Sequence, residues 1–410
     1  MIIERPNEVK RIMEAKKWIL VYGRRKTGKT FIIQNFIKYD EYFFVKKDRT
    51  IISERGNKTL VYDTFLEILQ RALEEDKTVV IDEFHRLGQD FFDFLHYIKK
   101  SGKLLLVSST LSLSKNLLSS HSPLLGIFKE NKVSLIDLSD AINALKKLKL
   151  NKKELVEIAI LLKEPFAIDY FDERKDPRKV MCEILLGSVK TIPALVGEIF
   201  SEEERSISAV YEGILRAVAD GKMVSGEISS YLSSRKLIKK DDPSIIQQYL
   251  TNLVEFGILK KVMVYNKNKF VYKHVSPIAR LFYYADEKYN ISERKVTEQE
   301  IARIIDELLP RIVEDEIREF IANRYGLLET ILETADYDID AYLLKFKKPE
   351  IAIEIKWKKT IEKEDIAKAE ENLSKVKAKK KLLFVPDKRN LKSEKVDIID
   401  ISDLIDQRNK

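Results

Sequence analysis

The chain has 410 residues, 44% hydrophobic and 34% charged, with a single cysteine and a net charge of +8. That length exceeds one small core and that balance describes a folded, densely ionic protein, so two to four domains are expected and a disordered chain is excluded. Cys182 alone permits neither an intrachain disulfide nor a thiolate zinc site.

The first residues, MIIERPNEVK, are charged rather than apolar, and no uninterrupted apolar run is long enough to cross a bilayer, which points to a cytoplasmic protein. An apolar strand then spans Trp18 to Tyr22, followed by a basic loop and an amphipathic helix. Gly23, Gly28, Lys29 and Thr30 fit GxxxxGKT in the strand–loop–helix setting that this pattern requires. Successive backbone N–H groups from Gly23 through Arg24, Arg25, Lys26, Thr27 and Gly28 wrap a polyphosphate, and the helix that follows adds its positive end. Lys29 is placed to reach the β- and γ-phosphates and the Thr30 hydroxyl to hold Mg²⁺. Arg24, Arg25 and Lys26 either add phosphate contacts or form a solvated loop surface.

A strand over residues 42–46 and a helix over 59–75 come next. The apolar run Thr78 to Ile81 then ends in Asp82 and Glu83, as a strand buried on both faces of a parallel sheet does. Asp82 is a magnesium ligand, direct or through water, and Glu83 the group that polarises the attacking water. His85 is expected to cap the next helix. The strand KLLLVSST delivers Ser108, Ser109 and Thr110, of which Ser109 is the candidate γ-phosphate sensor. A last strand over 132–138 completes a three-layer α/β P-loop ATPase core, residues 1–139.

Residues 140–205 read as a helical linker or lid ending in the acidic patch EEER. Residues 206–285 carry a winged-helix pattern. Ile246, Tyr249, Leu250 and Leu253 recur at helical spacing, Gly257 closes that helix, and two strands join at residues 266–269. The window 221–280 holds eleven Lys or Arg against four Asp or Glu, so nearly all of the net charge is local to it. Gln247, Gln248, Thr251 and Asn252 are the expected base readers, and Lys260, Lys261, Lys267, Lys269 and Lys273 the expected phosphate contacts to DNA.

Residues 286–410 contain YDIDAY and EIAIEIKWK. On the second of these strands Ile351, Ile353, Ile355 and Trp357 point one way, and Ala352, Glu354 and Lys356 the other. If the two strands pair, Asp340 meets Glu354, and such carboxylates either share a proton or hold Mg²⁺ or Mn²⁺, with Lys356 stabilising developing charge. The alternative is the wet face of a half-buried sheet. The spacing resembles the D…ExK motif of restriction-like nucleases, with helices over 311–325 and 361–376 around it and Glu314 as a further metal contact. Ile339 stands where that motif's name has proline.

ERPNEV, VYGRRKTGKT, VVIDEF, LLLVSST, SPLLGIF and the later DID and EIK segments together resemble archaeal P-loop ATPases of the AAA+ and STAND-like group that carry a winged helix and a restriction-endonuclease-like C-terminal domain. The resemblance implies one additional strand between those that carry Lys29 and Asp82, and ATP hydrolysis aided by Glu83. Two departures stand out: Ser122 to Ile127 lacks the arginine expected there, so no arginine finger is assigned, and LKEPFAIDYFD replaces a glycine-rich patch. The expected function is an ATP-binding, ATP-hydrolysing protein that couples nucleotide state to nucleic-acid binding, with a metal-dependent nuclease and homo-oligomer formation as further possibilities. The rivals are a signalling or assembly switch whose C-terminal domain is an inactive platform, and a DNA-binding regulator without useful turnover.

Overall fold

The computed structural model describes residues 1–16, 18–111, 126–203 and 205–405. Helix α1 (Pro6–Met13) precedes β1 (Trp18–Tyr22), α2 (Lys29–Phe36), β2 (Glu41–Val45), β3 (Ile51–Ser53), β4 (Lys58–Leu60), α3 (Tyr62–Glu74) and β5 (Thr78–Asp82). Helix α4 (Gln89–Tyr97), β6 (Lys103–Ser108) and β7 (Phe128–Lys132) complete a seven-stranded sheet in the order β4-β3-β2-β5-β6-β1-β7. β6 lies between β1 and β5 and pairs with both in parallel, the inserted strand that the resemblance implies.

Both faces of the central strands are covered. Leu20, Val79, Ile81, Leu104 and Leu106 pack on Phe65 and Phe91, while Ile19, Val21, Val80, Leu105 and Val107 pack on Ile12, Ile32 and Ile33. Double burial is why these strands read as continuous apolar runs. Two edges depart from the sequence reading. The helix expected from residue 59 begins at Tyr62, because Lys58–Leu60 pair with β3. The final strand is FKENK, not residues 132–138: as an edge strand beside β1 it buries only Phe128 and Asn131, too few positions to show as an apolar run.

Asp137 then caps α5 (Leu138–Leu145) by accepting from the Ser139 N–H. α6 (Lys152–Leu161), a 3₁₀ turn at Pro165–Tyr170 and α7 (Pro177–Glu202) follow. α7 has the length and mean hydropathy of a membrane span, although Glu183, Lys190 and Glu198 interrupt its apolar run, and half of that stretch is buried inside the protein. Next come α8 (Ala209–Ala219), α9 (Ser225–Ser234), α10 (Pro243–Glu255), the antiparallel hairpin β8 (Leu259–Val264) and β9 (Phe270–His274), α11 (Pro277–Tyr289) and α12 (Glu298–Tyr325). α7 packs against α6, α11 and α12.

The C-terminal part contains β10 (Thr330–Glu333), β11 (Asp338–Ile339), β12 (Ala341–Lys345), β13 (Lys348–Ile355), α13 (Lys363–Ser374), β14 (Lys380–Phe384), β15 (Asp397–Ile399) and α14 (Ile401–Ile405). β10 and β11 extend the β8–β9 hairpin into a sheet ordered β11-β10-β8-β9, and β12-β13-β14-β15 form another. One hydrophobic cluster joins Ile3 to side chains between Ile136 and Ile405. Side chains on both sides of each expected boundary, 139/140, 205/206 and 285/286, contribute to it.

Candidate functional site

β1 and β5 both run into one cleft at their C-terminal ends. Gly28 adopts φ +89°, a left-handed conformation that favours glycine, and a Cβ at Gly23 would overlap the Val133 carbonyl oxygen. The loop glycines are thus required by the turn and by close packing before any ligand is considered. Arg5, itself buried, braces the loop from behind, donating to Thr27 O at 2.7 Å, Glu8 at 2.8 Å and Ser134 O at 2.8 Å.

Lys29 is buried, and its Nζ donates to the carbonyls of Gly23 and Arg24, each at 2.9 Å. Burial lowers its pKa to about 8, against the pull of Glu83 and Asp82. Thr30 Oγ1 and the Tyr42 hydroxyl both donate to Asp82 Oδ2 at 2.7 Å. Burial raises the Asp82 carboxyl above its ordinary range despite those bonds. Glu83 sits at φ +58°, a strained conformation for a non-glycine residue. Ser109 Oγ donates to Glu83 Oε2 at 2.7 Å, and His85 Nδ1 lies 3.3 Å from the same oxygen.

Arg25, Lys26, Gly28, Lys29, Thr30, Lys46, Lys47, Glu83, Arg86 and Ser109 line a cleft of about 670 Å³. Among the expected residues, Gly23 and the buried Asp82 are not part of that lining, and two further side chains face elsewhere. Arg24 donates to the fully buried Glu164 at 2.6 Å, and Thr27 Oγ1 turns back to Arg24 O at 3.0 Å, so the loop's first arginine and its threonine hydroxyl shape the loop rather than the cleft wall. Behind the cleft, Glu202 at the end of α7 accepts from Arg25 Nη1 at 2.8 Å and Arg86 Nη2 at 3.2 Å, and lies 3.2 Å from His85 Nε2. His85 chiefly, then Arg86 and Arg25, hold its carboxyl down at about 2. His85 therefore bridges Glu83 to Glu202 rather than capping a helix. Arg25 Nε also donates to Glu198 at 2.7 Å.

Across Gly28 and Phe31 from the cleft, Ile2, Ile3, Ile136, Pro165 and Ile168 line a mainly apolar cavity of about 250 Å³. Sequence reasoning missed this cavity and the roles of Arg5, Glu198 and Glu202. HR after VVIDEF was a local signal for Arg86, but nothing local marks Glu202, which lies 177 positions from Arg25 along the chain.

The second cluster forms where the sheets meet. The β12–β13 register places Ala341 opposite Ile353, so Asp340, between β11 and β12, adjoins Glu354. Ile351, Ile353, Ile355 and Trp357 enter the large core while Ala352 enters the opposite one, the expected alternation. Ile355 N–H donates to Asp340 Oδ2 at 2.8 Å, and Lys356 Nζ to Glu354 Oε2 at 2.7 Å. Burial raises the pKa of Asp340 and, with Asp340 beside it, that of Glu354. Glu314 on α12 is raised to about 7 by burial, then by Asp340 and Asp315. Burial opposes the Lys356 ammonium, but Glu354, Asp340 and Glu314 together raise its pKa.

The basic middle differs from expectation. Gln247, Gln248 and Thr251 are exposed on α10, but Asn252 is buried and donates to the Tyr211 hydroxyl at 2.6 Å. Lys260 donates to Glu319 at 2.6 Å, Lys269 to Glu333 at 2.8 Å, and the buried Lys273 pairs with Asp315. Those charges compensate acids on α12 and β10, which the 221–280 window did not contain. The stretch from Ser122 to Leu125, which bore on the arginine finger, lies outside the described residues.

Residues 15–157 match the family model described as an AAA domain. No curated protein matches the chain. Among solved structures, a Walker-type ATPase of Pyrococcus abyssi is 20% identical with a TM-score of 0.52, covering 69% of this chain and 96% of its own. The ORC2 protein of Aeropyrum pernix, in ADPNP and ADP complexes, is 12% identical at a TM-score of 0.38, covering 76% of this chain and 93% of its own. A STAND protein of Pyrococcus horikoshii with a tetratricopeptide repeat sensor is 14% identical at 0.30, covering 78% and 48%. The N-terminal part thus carries an AAA-type P-loop α/β fold, and the first structure shares the fold at the level of overall architecture.

Proposed function

We propose that the protein binds and hydrolyses ATP and couples nucleotide state to association with nucleic acid. The observation that carries the reading is the convergence of the phosphate loop with Glu83 in one cleft, with Asp82 buried beside it and its Oδ2 2.7 Å from Thr30 Oγ1. These two hard oxygen donors, one of them a carboxylate with its pKa raised by burial, fit magnesium, which when bound neutralises phosphate charge. Lys29 exchanges its two carbonyl contacts for phosphate oxygens, and Arg25, Lys47 and Arg86 supply further positive charge from the cleft wall. Glu83, oriented by Ser109, accepts a hydrogen bond from the attacking water. The apolar cavity beside Phe31 suits an adenine ring, and α7 meets the cleft through Glu202.

Helices α8 to α10 with the β8–β9 hairpin follow the order of a winged helix, and exposed Gln247, Gln248 and Thr251 on α10 make it a candidate DNA reader. Asp340, Glu354 and Lys356 are the candidate catalytic set of a nuclease-like domain, and the carboxylates Asp340, Glu354 and Glu314 have the donor chemistry of a Mg²⁺ or Mn²⁺ site. A second reading, an ATP-held signalling or assembly switch with an inactive C-terminal platform, is favoured by one observation: Glu354 is buried and already neutralised by Lys356. ATP turnover with and without DNA, for the wild type, Lys29→Ala and Glu83→Gln, separates the two. DNA-stimulated turnover that both variants lose supports the coupled ATPase, tight ATP retention with negligible turnover supports the switch, and absence of nucleotide binding rejects both.

A further inference from the structure

A cationic surface of this protein lies at a place that its local charge count did not mark. β12 and β13 are joined by a two-residue turn, Phe346 and Lys347, since Lys345 pairs with Lys348. Both turn residues have φ above zero, +50° and +63°, as a type I′ turn requires, a geometry that ordinarily selects Asn-Gly. A bulky aromatic there is held against its own steric preference, and with 91% of its surface exposed it gains no packing in return. Local rules are most often broken at functional positions.

The chemistry around the ring is uniform. Lys345, Lys347 and Lys348 are exposed, and the β13–β14 register, which sets Ile351 opposite Lys380, brings Lys379, Lys380 and Lys381 to the same end of the sheet. Glu350 stands among them, paired with Lys379 at 2.8 Å, and its carboxyl is held below its ordinary range by Lys379 first, with Lys345 and Lys380 adding to the effect. Lys345, Lys347, Lys348, Lys380 and Lys381 form no ion pair among the described residues. The wing lysines Lys260, Lys269 and Lys273, by contrast, already face acids of their own chain.

We infer that this turn and the lysines flanking it form a docking surface for single-stranded nucleic acid, with Phe346 stacking on a base and the lysines meeting phosphates. The inference rests on the nucleic-acid part of the proposed function and assigns it a surface. An aromatic tip between cations suits unpaired bases, whose faces are free, and not a duplex, whose base faces are stacked. A membrane is the poorer fit: the apolar area is one ring with Leu328 nearby, bonded to Leu344 through the backbone, whereas interfacial binding needs a broad apolar face. The surface is also separate from Glu354, six residues along β13 from Lys348 and thus about 20 Å away.

The test measures anisotropy of a labelled, mixed-sequence DNA strand of about twenty nucleotides with the full chain, between about 50 and 200 mM salt. Three variants accompany the wild type: Lys347→Glu/Lys380→Glu/Lys381→Glu, Phe346→Ala, and the wing control Lys261→Glu/Lys267→Glu. The triple variant is expected to lower the log–log salt slope by about 2, from three phosphates at about 0.7 each. Phe346→Ala is expected to weaken binding by about 5- to 100-fold with the slope unchanged. Unchanged melting temperatures show that these surface changes leave the fold intact. Wild-type binding lost only in the wing control overturns the inference and leaves the proposed function standing. Binding to phosphatidylserine vesicles in place of DNA overturns it in favour of a membrane. No binding to either removes the nucleic-acid part of the proposed function as well, while ATP turnover in the same preparation reports on the nucleotide site independently.

Discussion

Two acidic pairs stand at strand ends in this molecule, one after the parallel strand β5 and one across the antiparallel β12–β13 pair, and their surroundings separate them. Glu83 lines an open cleft with cations from three other segments while Asp82 lies buried behind it on Thr30 and Tyr42, whereas Glu354 is buried and paired with Lys356, and the partly buried Asp340 accepts from Ile355 N–H. Glu83 shares that cleft with Arg25, Lys26, Lys46, Lys47 and Arg86. The second pair is largely self-neutralised, and the charge that remains uncompensated is expressed in the raised carboxyl of Glu314. A carboxylate pair is therefore only a starting point: access and the position of the counter-charge decide whether it is poised for a ligand.

The largest effect expected on this contrast is on turnover. Lys29→Ala or Glu83→Gln should lower ATP hydrolysis by about 100-fold or more, measured by phosphate release, while Lys356→Ala should leave it unchanged. Equal losses in all three would erase the distinction between the sites.

The second effect is on stability. Glu314 has its folded pKa raised to about 7 from 4.5, so its contribution to stability is complete below pH 4.5 and is lost as pH rises through 7. Glu314→Gln should therefore stabilise the protein at pH 8 by about 3 kcal/mol relative to the wild type and have little effect at pH 4, read from denaturant midpoints. Added Mn²⁺ that abolishes the difference at pH 8 would indicate a metal at that cluster.

A smaller effect distinguishes buried from exposed lysines. Lys260→Ala removes the ammonium paired with Glu319, while Glu329 keeps Arg318, and should cost about 2 kcal/mol, whereas Lys261→Ala should change stability by less than about 0.5 kcal/mol. Comparable melting temperatures for the two would contradict the assignment of Lys260 to an internal ion pair. The smallest effect concerns Glu202. Its neutralisation in Glu202→Gln frees Arg25 and Arg86 for phosphate and should tighten ATP binding by about 5- to 10-fold, a gain of about 1 kcal/mol in a fluorescent-nucleotide titration. Unchanged or weaker binding would mean that Glu202 orients those arginines and does not compete for them.

Much of the nucleotide site was legible because its parts are local. Gly23 to Thr30 occupy one turn, and Asp82 and Glu83 directly follow the apolar run that ends β5. The strand alternation around Glu354 was legible for the same reason. The edge strand FKENK was not, because one covered face leaves too few buried positions to form a pattern. Nor was the engagement of the β8–β9 lysines, since Glu319, Glu329 and Asp315 lie more than forty residues further along the chain and no window of sixty residues centred on that hairpin pairs them.

What the sequence determined alone is what neighbours along the chain enforce: the phosphate loop, the buried strands, the helix with Ile246 and Leu250 on its inner face, and the parity of the EIK strand. The tertiary structure decided where charge remains available. It turned Arg24 into the core, brought Glu202 behind the cleft, closed Lys260 and Lys273 into ion pairs and left the lysines around Phe346 in solvent. The physical reason is range: backbone geometry and periodicity act over a few residues, whereas the electrostatic state of a side chain depends on which distant segments fold against it and exclude water.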